Sequence, residues 1–165
     1  MARSAVNPRQ LTYASPQGLP RRSMLAEDSK TWKAGQLGIL TSGTVTPIST
    51  SSVAAYCIFA SDQTTSTSDS YVDVFLLVDG CELEVCVYHT NQVSAIATSN
   101  IGGIYGCITA SNISYIDLNE SAGQFEVIEL ASSYMPELSS YDGSFDGVTG
   151  TTAGICKVKF RKNVS

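Results

Sequence analysis

One histidine, five cysteines and a few spaced carboxylates are the side chains of this 165-residue chain that could do chemistry. Nucleophilic hydrolysis needs a base beside a serine, threonine or cysteine, and His89 would have to be that base. No nucleophile motif surrounds it, and it falls just past an expected strand, where a lone histidine is usually structural. Paired carboxylates for glycoside cleavage could come from Glu82 and Glu84 or from Glu126 and Glu129. Glu82 and Glu84 would share a strand face roughly 6.5 to 7 Å apart, near the spacing of catalytic pairs. The simpler expectation is that both point outward and solvate a hairpin.

Metal ligation is no better supported. Cys81 and Cys86, five residues apart on a strand, project from opposite faces and cannot chelate one zinc. Asp142-Gly-Ser-Phe-Asp146-Gly147 has the outline of a calcium turn, but it lacks the third carboxylate and the distal Glu of a full loop. Gly35-Gln-Leu-Gly38 and Ile101-Gly-Gly-Ile-Tyr-Gly106 neither open a helix nor offer a Lys, so they read as strand-end glycines rather than phosphate loops. The expectation is a protein that is not an enzyme, with no catalytic residue, cofactor or metal. Cys57, Cys81, Cys86, Cys107 and Cys156 are odd in number and without Cys-x-x-Cys spacing, which predicts free, partly buried thiols.

The elements behind these residues are short β-rich runs separated by Gly, Ser, Thr, Asn and Asp, the pattern of an all-β fold: a small antiparallel barrel or sandwich. Strands are predicted at Leu37–Leu40, Thr44–Ile48, Val53–Ala60, Tyr71–Val78, Cys81–Tyr88, Ile104–Ala110, Ser114–Leu118, Phe125–Leu130 and Ile155–Arg161. Asp79-Gly80 suits a type I′ turn and predicts a hairpin between Tyr71–Val78 and Cys81–Tyr88. Residues 1–30, with Pro8, Pro16, Pro20 and scattered apolar side chains, show no sustained period and predict an extended N-terminal arm ahead of a body over 31–165. Loops 61–70 and 132–152 exceed ordinary hairpin length.

Charge is sorted along the chain. The first 33 residues carry +4, residues 34–156 contain no Lys or Arg and carry −13, and Lys157, Lys159, Arg161 and Lys162 return +4, giving the net −5. Such sorting predicts that termini and body face different partners. On the last strand Lys157, Lys159 and Arg161 alternate with Cys156, Val158 and Phe160, which lines three cations along one face as a docking strip. A basic arm with Tyr13 beside Arg9 and Arg21 could meet nucleic acid. The acidic body would be repelled from it, and the arm lacks a run of like charges, so a protein surface is the better target. No apolar run approaches the roughly 20 residues of a membrane span. No secretory apolar core follows the first residues, which predicts synthesis into a cytoplasm.

Trp32-Lys-Ala-Gly-Gln-Leu-Gly-Ile-Leu, Ser42-Gly-Thr-Val-Thr-Pro-Ile and Tyr56-Cys-Ile-Phe-Ala-Ser, followed by Ala97-Thr-Ser-Asn-Ile-Gly-Gly-Ile-Tyr-Gly, Ser114-Tyr-Ile-Asp-Leu, Phe125-Glu-Val-Ile and Cys156-Lys-Val-Lys-Phe, form a pattern over about residues 31–161. It resembles small β-barrel proteins that cement or decorate the capsids of tailed bacteriophages. The resemblance implies a non-enzymatic virion protein on the outer capsid surface, often a homotrimer, that stabilises the shell by bridging major capsid protein subunits. The capsid contacts so implied are Arg3, Arg9, Leu11, Tyr13, Arg21 and Arg22 of the arm, with Lys157, Lys159 and Arg161 of the last strand. The alternatives are a glycan-binding adhesion head, for which Tyr134, Tyr141 and Phe145 of the late loop offer aromatic faces, and a basic-arm nucleic-acid-binding protein.

Overall fold

A computed structural model describes residues 9–10, 18–49, 52, 54–64, 67, 70–88, 96–110, 112–130 and 152–162. The fold is all-β and largely antiparallel. Its strands are β1 (Arg9–Gln10), β2 (Arg21–Leu25), β3 (Leu37–Thr41), β4 (Thr44–Pro47), β5 (Cys57–Phe59), β6 (Tyr71–Leu76), β7 (Glu82–Tyr88), β8 (Ile104–Ala110), β9 (Ile113–Asp117), β10 (Phe125–Leu130) and β11 (Thr152–Phe160). They form two sheets, β1-β7-β11-β10-β8-β9 and β2-β6-β5-β3-β4.

The first sheet closes on itself. β9 returns to β7 in parallel, with Cys86 opposite Tyr115 and Val87 opposite Ile116, so β7, β11, β10, β8 and β9 make a five-stranded barrel. β1 occupies the same edge of β7 further along, with Arg9 opposite Glu84 and Gln10 opposite Leu83. The second sheet nearly closes too. A parallel bridge joins Ala26 to Val45, and the Glu27 N–H donates to the Val45 carbonyl at 3.0 Å.

The predicted hairpin at Asp79-Gly80 does not form: β6 lies in the second sheet and β7 in the barrel. A type I′ turn needs positive φ at both central residues, whereas here only Gly80 has it (φ 82°), with the Cys81 N–H donating to the Val78 carbonyl at 3.1 Å. Such a turn does not match the twist of paired strands and lets them diverge. The end of β11 then bonds beside β7, the Phe160 N–H donating to Cys81 O and the Gly80 N–H to Phe160 O, each at 2.8 Å. The type I′ geometry instead appears at Ser42-Gly43 (φ 49° and 87°), which joins β3 to β4 with Thr41 opposite Thr44.

Alternation fills one main core from both sheets. Leu83, Val85 and Val87 of β7, Cys156, Val158 and Phe160 of β11 and Phe125 and Val127 of β10 pack with Leu37 and Ile58 of the second sheet and with Leu77 just beyond β6. Each such aliphatic or aromatic burial is worth about 1.5–3 kcal/mol against exposure. A second core inside the other sheet gathers Ala26, Val45, Val72 and Val74 around Trp32, whose ring stacks on Phe59 with centroids 4.4 Å apart. Gly38 is required there: a Cβ would lie 2.8 Å from the Phe59 ring.

The segment read from sequence as the rear of an arm is built into this body. Leu19 is buried, Pro20 O accepts the Leu76 N–H at 2.8 Å, and β2 runs along β6. Residues 1–8 and 11–17, and with them Arg3, Leu11 and Tyr13, lie outside the described residues.

Candidate partner-contact surface

The docking strip expected on β11 is a charge ladder. Lys157 stands in register with Glu129 of β10 on one side and Glu84 of β7 on the other, and Glu84 is in turn opposite Arg9 of β1. Across β10, β11 and β7 this row alternates in sign. In the next row Lys159 lies between Glu126 and Glu82. Lys157 Nζ sits 2.8 Å from Glu129 Oε2 with its side chain 15% exposed, and Arg161 holds Glu126 Oε2 at 2.6 Å. Cross-strand opposite charges of this kind stabilise the sheet itself. The three cations do share a face, and two of them, Lys157 and Arg161, are paired there with carboxylates of β10.

The same geometry settles the expected carboxylate pairs. Glu84 is buried at 5% exposure rather than pointing into water, and Glu126 and Glu129 each hold a cation. The outer face of β7, expected to be wet, is covered here: Cys86 packs with Tyr115 and Ile155 in a small core of its own. Cys81 belongs to the main core, so the two cysteines do project from opposite faces.

All five cysteines are buried free thiols. Burial pushes Cys57 and Cys107 up to about 12 and raises Cys81 and Cys156 as well. These groups stay protonated at neutral pH, which makes them poor nucleophiles and poor metal ligands. Among the described residues no group of three or more His, Cys, Asp or Glu side chains could hold a metal ion. His89, the Asp142–Asp146 turn and Tyr134, Tyr141 and Phe145 lie outside the described residues.

The arm cations that are described concentrate on the edge strand β2. Arg21 reaches Asp73 Oδ2 at 3.1 Å through Nε, and both side chains are well exposed. Arg22 and Ser23 are exposed beside them, and Tyr71, opposite Leu25, is 71% exposed. Beyond Leu25 the sheet is closed by the Ala26 bridge, but among the described residues Arg21–Leu25 pairs on one side with β6 alone. The result is a basic, partly aromatic edge.

Two features had no sequence signal. Gln124 ties the units together: its Oε1 accepts the Ala55 N–H at 2.9 Å, and its Nε2 donates to Lys162 O at 3.0 Å. A cleft of about 650 Å³ also opens beside β3 and β4, lined by Ile39, Thr46, Pro47 and Ile48 and by the 27–31 segment. Isolated polar residues in loops carry no period, so nothing local marks them. In the loop after β5, Asp62 accepts the Ala34 N–H at 2.8 Å and Lys33 Nζ at 3.0 Å, which holds its carboxyl below the ordinary range.

No family model matches this chain, and no curated protein sequence matches it significantly.

Proposed function

We propose that this protein is a non-enzymatic structural component of a virion, made in the host cytoplasm, that binds the outside of an assembled phage capsid and bridges major capsid protein subunits as a homotrimer. The observation that carries the reading is the edge strand β2. It exposes Arg21 and Arg22, is followed in space by the exposed Tyr71, and is continuous with the basic N-terminal residues. An open edge offers unpaired main-chain groups to a partner strand, and its positive charge selects an acidic partner surface. The sequence pattern over residues 31–161 supports the same class.

Contact is assigned to the N-terminal residues and β2 in preference to β11. Lys157 and Arg161 are held in part-buried ion pairs, and detaching either would leave a carboxylate without its partner, whereas the Arg21–Asp73 pair is well exposed and can exchange for a partner's carboxylate at little cost. The pairing of Lys157 and Arg161 weakens the nucleic-acid reading, since phosphate binding depends on cations that are free to release counterions.

The test is occupancy on capsids assembled without the protein. A chain lacking residues 1–17 retains Leu19 and β2, and the double change Arg21→Glu with Arg22→Glu reverses the edge charge. Each is expected to lower occupancy at least tenfold while the far-UV circular dichroism is kept. Undiminished occupancy of both would sink the assignment.

A further inference from the structure

The cleft beside β3 and β4 has the lining of a sugar site. Its floor is aliphatic, made by Ile39, Pro47 and Ile48, and its walls carry the hydroxyls of Ser29, Thr31, Thr46, Ser49 and Ser52. A smaller cavity shares Thr31, Ile48 and Ser49 and continues to Thr109 and Asn112 of the β8–β9 hairpin, so the groove runs from the second sheet to the barrel. Its volume lies within the range of small-ligand pockets, and junctions between structural units are where such pockets concentrate.

Charge narrows the ligand class. Glu27 and Lys30 line the cleft and pair with each other at 3.3 Å, so the site offers an acceptor and a donor with no net charge. Hydrogen bonding from Thr46 and Lys30 keeps the Glu27 carboxyl ionised. A phosphate or sialic acid would find no uncompensated cation, and a metal no set of carboxylates. Thr31 and Ser52 donate their hydroxyls to the Thr64 and Ala54 carbonyls and Thr46 to Glu27, so these oxygens face a ligand as acceptors, while the Ser29 and Ser49 hydroxyls can donate as well; together they match the hydroxyl edge of a pyranose, and the aliphatic floor matches its C–H face. Two of the three non-glycine residues with positive φ among the described residues, Ser29 (58°) and Asn112 (63°), stand on this rim. Such conformations persist where the surrounding structure holds them, often at binding sites.

We propose that this cleft binds a short neutral oligosaccharide, with Glu27, Lys30, Thr31 and Asn112 as polar contacts and Ile39 and Ile48 as the floor. The site lacks an aromatic platform among its lining residues, so single-site affinity is weak and multivalent presentation is the right probe.

The experiment uses the full chain, biotinylated and tetramerised on streptavidin, over an array of neutral and sialylated oligosaccharides of two to six sugars. Retention on neutral members is expected, and titration of ¹⁵N-labelled protein with the best-retained neutral array member should shift the amides of Lys30, Thr31 and Ser49. Ser49→Trp, which fills the cleft from an exposed position, and Lys30→Ala should each reduce retention at least tenfold with an unchanged melting temperature. Retention of sialylated members alone, no retention, amide shifts elsewhere, or full retention by both folded variants would overturn the proposal. The readout is independent of capsid occupancy, so this reading and the capsid reading fail separately.

Discussion

The Ser114 hydroxyl on β9 accepts the main-chain N–H of Leu37 on β3 at 2.9 Å, and both residues are fully buried. One side chain of the barrel thus satisfies the first amide of a strand in the other sheet. Thr109 Oγ1 lies 3.0 Å from the same hydroxyl and fixes its rotamer. Ser114→Ala leaves a buried donor without this acceptor, at a cost of about 1–3 kcal/mol. Urea unfolding should register that loss, and Ser114→Thr, which keeps the oxygen, should recover part of it. A neutral Ser114→Ala result would mean the bond does not join the two sheets in solution.

The charge ladder predicts a contrast between two lysines. Lys157 is mostly buried between Glu129 and Glu84, so Lys157→Met should cost about 2–4 kcal/mol, chiefly by leaving carboxylates uncompensated. Lys33 pairs with Asp62 at 3.0 Å where both side chains are more than half exposed, and Lys33→Met should change stability by less than about 1 kcal/mol. Chemical denaturation of the two variants side by side checks the order.

Buried thiols predict an alkaline limb. Cys57 and Cys107 are raised in the folded state to about 12, above the ordinary thiol value of about 8.5 in the unfolded chain. Below the unfolded value both states hold the proton and the thiols' contribution is fully present. Above it the unfolded chain releases protons that the folded chain retains, so stability falls as pH rises toward 12. Each such thiol contributes a slope of about 1.4 kcal/mol per pH unit. Unfolding measured under reductant from pH 8 to 10.5 should show the fall, and Cys107→Ala should remove about one proton from it.

The approach of β8 to the turn before β10 leaves no room at Gly123. A Cβ there would lie 2.1 Å from the Tyr105 carbonyl oxygen and 2.3 Å from the Gly106 nitrogen, and backbone cannot swing aside as a side chain can. Gly123→Ala should therefore destabilise by more than about 3 kcal/mol. Gly43→Ala meets nothing within 4 Å and is opposed by its positive φ alone, so it should cost only about 1 kcal/mol. Thermal melts of the pair distinguish crowding from backbone conformation.

The sequence by itself determined the β class, the position of most strands and the side of β7 and β11 that faces the main core. Ile104–Ala110 and Phe125–Leu130 have the bounds their alternation predicts, and Cys156, Val158 and Phe160 face the core as their period of two requires. These are local properties, fixed by the pleat over a few neighbouring residues. Tertiary structure decided which strands became neighbours. Tyr71–Leu76 and Glu82–Tyr88 part into different sheets because the φ of Asp79 and the competing β11 edge outweigh a turn-forming dipeptide. Lys157, Lys159 and Arg161 share a face as read, but whether that face is a free cationic strip or a neutral ladder depends on Glu129, Glu126, Glu84 and Glu82, which only strand register brings beside them. The junction through Ser114 and Gln124 and the cleft at Glu27, Lys30 and Thr46 arise in the same way. Register is set by packing between strands distant in sequence, and no local pattern carries it.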